Sequence, residues 1–278
     1  MVIELYWHPK ILVMDRAILL VFILTFLINL ITTLSYSVRM VGIRTKRIAI
    51  SFSLFNILIL ISRTANMFQS PMLSKTVENN IKAGMTSNIG PFRWIVFSCT
   101  LGTIVGAMLI PTFQRVLSKM VLSFSEHKSV PKVLMKSITR SGMAHFKEAI
   151  AIPSIRNIKN LNYKELPMNV FIMNVVATSI ISIGVLASVY AGYFTPEYRL
   201  TAGQMSGIIN GISTILMFVF IDPYMSALTD DVMVGKCTDS FFRRHVVFMV
   251  FARVLGTVIA QFLFVPSAEF IAWLAKIM

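Results

Sequence analysis

Residues 17–38 read AILLVFILTFLINLITTLSYSV, twenty-two positions without a charged side chain. About 20 apolar helical residues cover the hydrocarbon thickness of a bilayer, and a helix pairs its own backbone polar groups there. The stretch is therefore read as a transmembrane helix. Working outward, equally uncharged runs occupy 94–114, 167–195 and 200–221. Two further runs, 48–73 and 246–268, are each broken by one charged residue, Arg63 and Arg253. In a chain of 278 residues that is 56% hydrophobic and only 14% charged, these six runs define the fold class. It is an all-α integral membrane protein, with residues 1–278 forming a single membrane domain. The first run is long enough to span and no small-residue cleavage site follows it, so it is not read as a cleaved leader.

The distribution of basic residues predicts the orientation. Arg39, Arg44, Lys46 and Arg47 separate the first two runs, and residues 115–166 hold ten Lys/Arg. Lys236, Arg243 and Arg244 lie between the last two. The other side carries only Lys10, Arg16, Lys75, Lys82, Arg93, Arg199 and Lys276. Cytoplasmic loops of membrane proteins are enriched in Lys and Arg, so the three basic loops are expected inside and both termini outside.

The 115–166 loop carries a pattern of its own. Phe113, Val116, Leu117, Met120, Val121 and Phe124 recur at helical spacing just after Pro111. In 131–152, Leu134, Ile138, Phe146, Ala149 and Ile150 oppose Lys132, Lys136, Arg140 and Lys147. Both read as amphipathic interfacial helices on the anionic cytoplasmic surface, between the third and fourth spans. Glycines mark expected packing faces: Gly102 and Gly106, then Gly184 and Gly192, then Gly203, Gly207 and Gly211. A short echo links Met40–Thr45 with Met233–Thr238. The spacing between the copies differs, which favours coincidence over an internal repeat.

Arg63 and Arg253 are the candidates for function. A guanidinium stays charged, and placing one in hydrocarbon costs about 3 kcal/mol on insertion scales. Such a group is expected to face a polar cavity, a counter-ion or an anionic substrate. By helical rise from the ends of their runs, Arg63 lies about 22 Å and Arg253 about 10 Å from the cytoplasmic side, two rungs of one path. Asn66 lies one turn beyond Arg63, and Asn29 and Thr32 add polar groups in the first span. Arg39 is either an interfacial anchor or a further cation of the path. Asp222, before Pro223, ends the fifth run, where it is placed to neutralise Arg253, Arg243 or Arg244. Guanidinium forks and hydroxyl donors together suit phosphate oxygens.

Catalysis has no comparable support. Cys99 and Cys237 are too few for a disulfide framework or a zinc site, and the four histidines form no HExxH pattern. No Walker-type phosphate loop and no GxSxG elbow occur. A transporter is expected, not an enzyme, with no cofactor, no metal and no nucleic-acid partner.

The stretch Leu30–Arg39, continuing through Gly42–Thr45 to Leu60–Asn66, resembles the Amj family, lipid II flippases described as an alternate to MurJ. The resemblance is strongest over 25–72, while length and six-span layout agree throughout. It implies a bacterial plasma-membrane protein that moves undecaprenyl-diphosphate-linked peptidoglycan precursor to the outer leaflet, and no residue role is taken from it. A translocase for another anionic lipid such as undecaprenyl phosphate, or a non-transporting envelope scaffold, are the alternatives. Nothing in the sequence sets an oligomeric state.

Overall fold

The computed structural model describes residues 16–85, 87–127 and 167–278. Among these, α1 is Arg16–Thr45, α2 Ile48–Lys82, α3 Ile89–His127 and α4 Met168–Phe194. A 3-10 turn, Pro196–Tyr198, leads into α5 (Arg199–Gln204) and α6 (Ser206–Leu216). A π-helical turn, Met217–Ile221, then leads into α7 (Asp222–Met233), and α8 is Asp239–Ile277. Six helical stretches are long and apolar enough to cross a membrane, the fifth being the broken Pro196–Met233. The all-α class and the six spans expected from the uncharged runs are what the structure contains among its described residues.

Local chemistry explains the ends and breaks. The α1–α2 turn places Lys46 at φ 55, and Gly84 and Gly235, at φ 66 and 79, turn the chain after α2 and α7. Glycine takes that left-handed backbone without a Cβ clash. Thr238 caps α8 by accepting the Phe241 N–H, with Asp239 in the first turn to complement the helix dipole. The fifth span breaks where Pro223 brings no N–H. There the Asp222 N–H bonds back five residues to the Met217 carbonyl, which makes the π turn.

Four helices form the frame. α1 packs along α3 and α4 along α8, with α3 and α8 closing the two pairs together. One apolar core cluster gathers Phe92, Tyr190 and Phe264 with Leu73 and Val77, and a second gathers Phe55, Leu117, Val121, Phe242 and Met249. Between them Asn174, fully buried, donates to the Met249 carbonyl at 2.9 Å and to the Tyr36 hydroxyl at 3.1 Å. That amide ties α1, α4 and α8 together. Outside the frame, α2 lies against α1, and the fifth span leans on α4. The end of the bundle carrying the α1–α2 and α7–α8 turns is called the basic end below.

One expectation changes. The stripe 113–124 is helical, but α3 runs through Pro111 into it, and Leu117 and Val121 are buried against α1 and α2 rather than laid on a membrane surface. Phe113 meets Phe55 edge-on at 6.2 Å. An apolar stripe at helical spacing marks a buried face without naming what buries it. The stretch 131–152 lies outside the described residues. The echo segments also differ: Gly42 is inside α1, 2.9 Å from Ile48 by its missing Cβ, whereas Gly235 is in a turn.

Candidate functional site

One face of α2 is drawn by steps of three and four: Phe52, Asn56, Ile59, Arg63, Asn66, Ser70, Leu73, Val77 and Asn80. Its two ends are in contact and its middle is not. At the basic end the Phe52 ring lies under the Arg39 guanidinium, 5.2 Å from its centroid. At the far end Leu73 and Val77 are buried, and Asn80 donates to the Tyr193 hydroxyl at 2.7 Å. Asn56, Arg63 and Asn66 between them are exposed, and Ser70 is half-buried. The fifth span meets this side of α2 in the same way. Arg199 pairs with Glu78 at 3.5 Å at the far end, and Asp222 and Ser226 reach Arg39 at the basic end. α6 packs on α4 and makes no extensive contact with α2 or α1. Between these two ends α2 and the fifth span make no extensive contact, and this stretch is called the lateral opening below.

α1 forms its floor. Ile28, Thr32, Ser35 and Arg39, again at three-four spacing, are half-buried on the side where Arg39 meets α7. Behind Thr32 stands Arg253 of α8, 4% exposed, donating to the Thr32 hydroxyl at 2.7 Å. The Thr32 hydroxyl donates its own hydrogen bond to the Ile28 carbonyl at 2.6 Å, so its oxygen is free to accept from the guanidinium. Arg253 has no carboxylate partner among the described residues, and its Nε has no hydrogen bond. A buried charge with neutral acceptors alone is destabilising.

The expected ladder of two arginines at different depths is corrected. α8 begins at Asp239, so Arg253 is fourteen residues into its helix, and Arg63 is fifteen into α2. Both therefore stand about 21–23 Å from the basic end by helical rise. Gln69 of α2 donates to Thr25 of α1 at 2.9 Å, and six residues along the antiparallel pair brings Arg63 level with the Thr32 region. The two cations share one level, Arg63 exposed on the α2 wall and Arg253 buried behind the floor. Arg63 and Asn66 hold no hydrogen bond or ion pair among the described residues.

Asp222 is corrected too. It pairs with Arg39 at 3.4 Å, not with Arg253, Arg243 or Arg244, and Arg243 turns instead to Asp239 at 3.7 Å. Nor does Asp222 end a span: α7 starts there and the span continues to Met233. Asn29 is buried away from the opening, its amide donating to the Thr25 carbonyl at 3.0 Å.

Residues 24–275 match the family described as Amj, alternate to MurJ. The chain belongs to the Amj family. A relative from Bacillus subtilis (strain 168), named lipid II flippase Amj, is 37% identical over 265 residues, covering 95% of this chain and 98% of the relative. No solved structure matches. The family match begins inside α1 and ends near the close of α8, so every residue of the opening lies within the Amj region.

Reading this Amj sequence alone missed Asn56, Ser70 and Ser226. The first two carry a signal: Asn56, Arg63, Asn66 and Ser70 fall on one three-four face of a span that a lipid-facing helix would fill with apolar residues. Ser226 carries none, because its partner Arg39 is 187 residues away in sequence.

Proposed function

We propose that this Amj-family chain is a lipid II flippase of the bacterial plasma membrane. It carries the undecaprenyl-diphosphate-linked disaccharide-pentapeptide from the cytoplasmic to the outer leaflet and so supplies cell-wall synthesis. The observation that carries the reading is identity of 37% along 95% of the chain to a protein named lipid II flippase Amj. The basic end faces the cytoplasm, as the Lys/Arg asymmetry predicts, and both termini face outward.

The physical problem is the headgroup. A diphosphate and its sugars lose many hydrogen bonds in hydrocarbon, whereas the polyprenyl tail is at home there. A lateral opening solves this by letting the tail stay in lipid while polar groups line the headgroup's route. In this proposal Arg39 and Asp222 stand where the route begins, and Arg63, Asn66 and Arg253 meet the diphosphate midway. Arg253 reaches it through the Thr32 position, where a phosphate oxygen takes the place of the hydroxyl as acceptor. Two fork-shaped donors at one level match the two phosphates of one headgroup better than two successive single stations do.

Rescue of cells depleted of every other lipid II flippase tests the function. The chain is expected to restore growth and outer-leaflet lipid II. Absence of rescue by correctly inserted protein would end the reading.

A further inference from the structure

We infer that the Asp222 carboxylate occupies the position on Arg39 that the lipid's phosphate takes, so that the incoming anion opens the basic end of the cleft by displacing it. The inference rests on the flippase reading and adds how the site is loaded. Arg39 is well fixed: its side chain is 14% exposed, it covers the Phe52 ring, and one arm of its fork donates to Ser226 at 2.8 Å. The other arm reaches Asp222 only at 3.4 Å, beyond the usual ~2.7–2.9 Å of a charge-assisted bond. The Asp222 side chain is 46% exposed. Of the two partners, the carboxylate is the more exposed and the one that leaves cheaply.

What remains when it leaves is an anion site. The second arm of Arg39 is free, and the Ser226 hydroxyl, which accepts from the first arm, has no acceptor for its own proton among the described residues. Two donors then converge beside an aromatic ring, at the end of the opening that faces the cytoplasm in the orientation proposed here. A phosphate dianion or diphosphate offers more negative charge and more oxygens than the carboxylate it replaces, so the exchange runs toward the lipid.

The exchange has a mechanical consequence. Arg39 with Asp222 and Ser226 is the polar tie between α1 and α7, and the Met217–Ile221 π turn lies immediately before Asp222. Loss of the Asp222 half leaves α7 held by Ser226 and by the apolar anchors Met225 and Leu228, so the Asp222 end beside the π turn is the part free to bend. Loading and opening are then one event.

The test uses the full chain in phosphatidylcholine nanodiscs with farnesyl diphosphate as the lipid probe, inorganic diphosphate as the headgroup alone and farnesol as the tail alone. Calorimetry gives affinity. Spin labels at Ser53→Cys and Ala227→Cys, in a Cys237→Ser background with Cys99 buried, report the α2–α7 distance. Farnesyl diphosphate is expected to widen that distance in the otherwise unaltered chain. Asp222→Asn is expected to bind it about threefold more tightly, the scale of a lost exposed ion pair. Arg39→Gln is expected not to bind. Unchanged or weaker binding by Asp222→Asn overturns the inference, as does a distance that farnesyl diphosphate leaves unmoved. Widening by farnesol does the same, and equal widening by inorganic diphosphate overturns the assignment to a lipid. Should Asp222→Asn fail to fold, the distance change in the unaltered carboxylate background decides alone. Translocation of lipid II measured in parallel separates the two readings. Exchange without translocation removes the flippase reading, and translocation with unaltered Asp222→Asn affinity removes only the exchange.

Discussion

Glycines serve the frame and the fifth span in opposite ways. In the frame they are where helices touch. A Cβ on Gly102 would run into the Phe26 carbonyl oxygen, one on Gly106 would lie 2.9 Å from Thr33 Cβ, and one on Gly256 would lie 2.7 Å from the Val175 carbonyl. Lipid supplies no hydrophobic force between helices, so close backbone approach and the dispersion it brings hold α1 to α3 and α4 to α8. Gly203, Gly207 and Gly211 of the fifth span have nothing within 4 Å of where a Cβ would stand. That span touches α4 through Ser213, whose hydroxyl donates to the Ala177 carbonyl at 2.6 Å, and through Asn210, whose side chain fills the place of a Cβ on Gly184. The glycine at that contact belongs to the frame, and the span itself is broken twice along its length. One part of the molecule is locked by absent side chains. The other is an arm resting on it.

The largest effect that would break this contrast is in the frame. Gly102→Val forces α1 and α3 apart over backbone that has no rotamer to change, and overpacking of this kind costs about 1–3 kcal/mol or more. The expected outcome is loss of most folded protein, read as a collapse of the detergent unfolding midpoint. Gly256→Ala should lower the midpoint less, because one of its neighbours is the Thr178 side chain. A Gly102→Val protein that unfolds at the normal temperature would mean α1 and α3 are not locked.

Next comes Arg253, which the frame holds at a cost. Arg253→Gln removes an unpaired buried cation while retaining a donor toward Thr32. Stability is expected to hold or rise, since replacing poorly compensated buried charge is often neutral or favourable by about 1–4 kcal/mol. Lipid II translocation is expected to fall at least about tenfold, the loss of a charge-assisted bond of about 1.5–3 kcal/mol. A leaflet-accessibility assay beside the unfolding curve checks both. Arg63→Gln, on the exposed wall, should leave stability within about 0.5 kcal/mol and reduce translocation. Full activity in both variants would leave the opening without its role.

Six spans were legible because hydrophobic length is a local property, and the lone charge in 246–268 was legible for the same reason. The depth of Arg253 was not. Hydropathy detects the hydrocarbon-embedded part of a helix, while α8 starts earlier at its Thr238 cap and carries Arg243 and Arg244 in its first two turns. Seven residues of polar helix therefore separated the apparent start at 246 from the real one. The pairing of Asp222 with Arg39 was beyond reach as well, because three basic candidates near Asp222 in sequence lose to one 183 residues away. The open middle of α2 needed both kinds of information. Its polar spacing is in the sequence, but only the contacts at Phe52 and Val77 show which way that face looks.

The smallest predicted effect is the most discriminating for the arm. A glycine inside a helix costs about 1 kcal/mol relative to alanine when nothing packs on it. Gly207→Ala and Gly211→Ala should therefore leave the unfolding midpoint unchanged or raise it slightly, in contrast to every substitution at Gly102, Gly106 or Gly256. The comparison is sharpest when measured at several protein concentrations. If the alanine variants instead lower the midpoint, and do so only at concentrations where the protein self-associates, then the glycine face is covered by a second copy. In that case the fifth span is packed like the frame, and the opening is bounded by more than one chain.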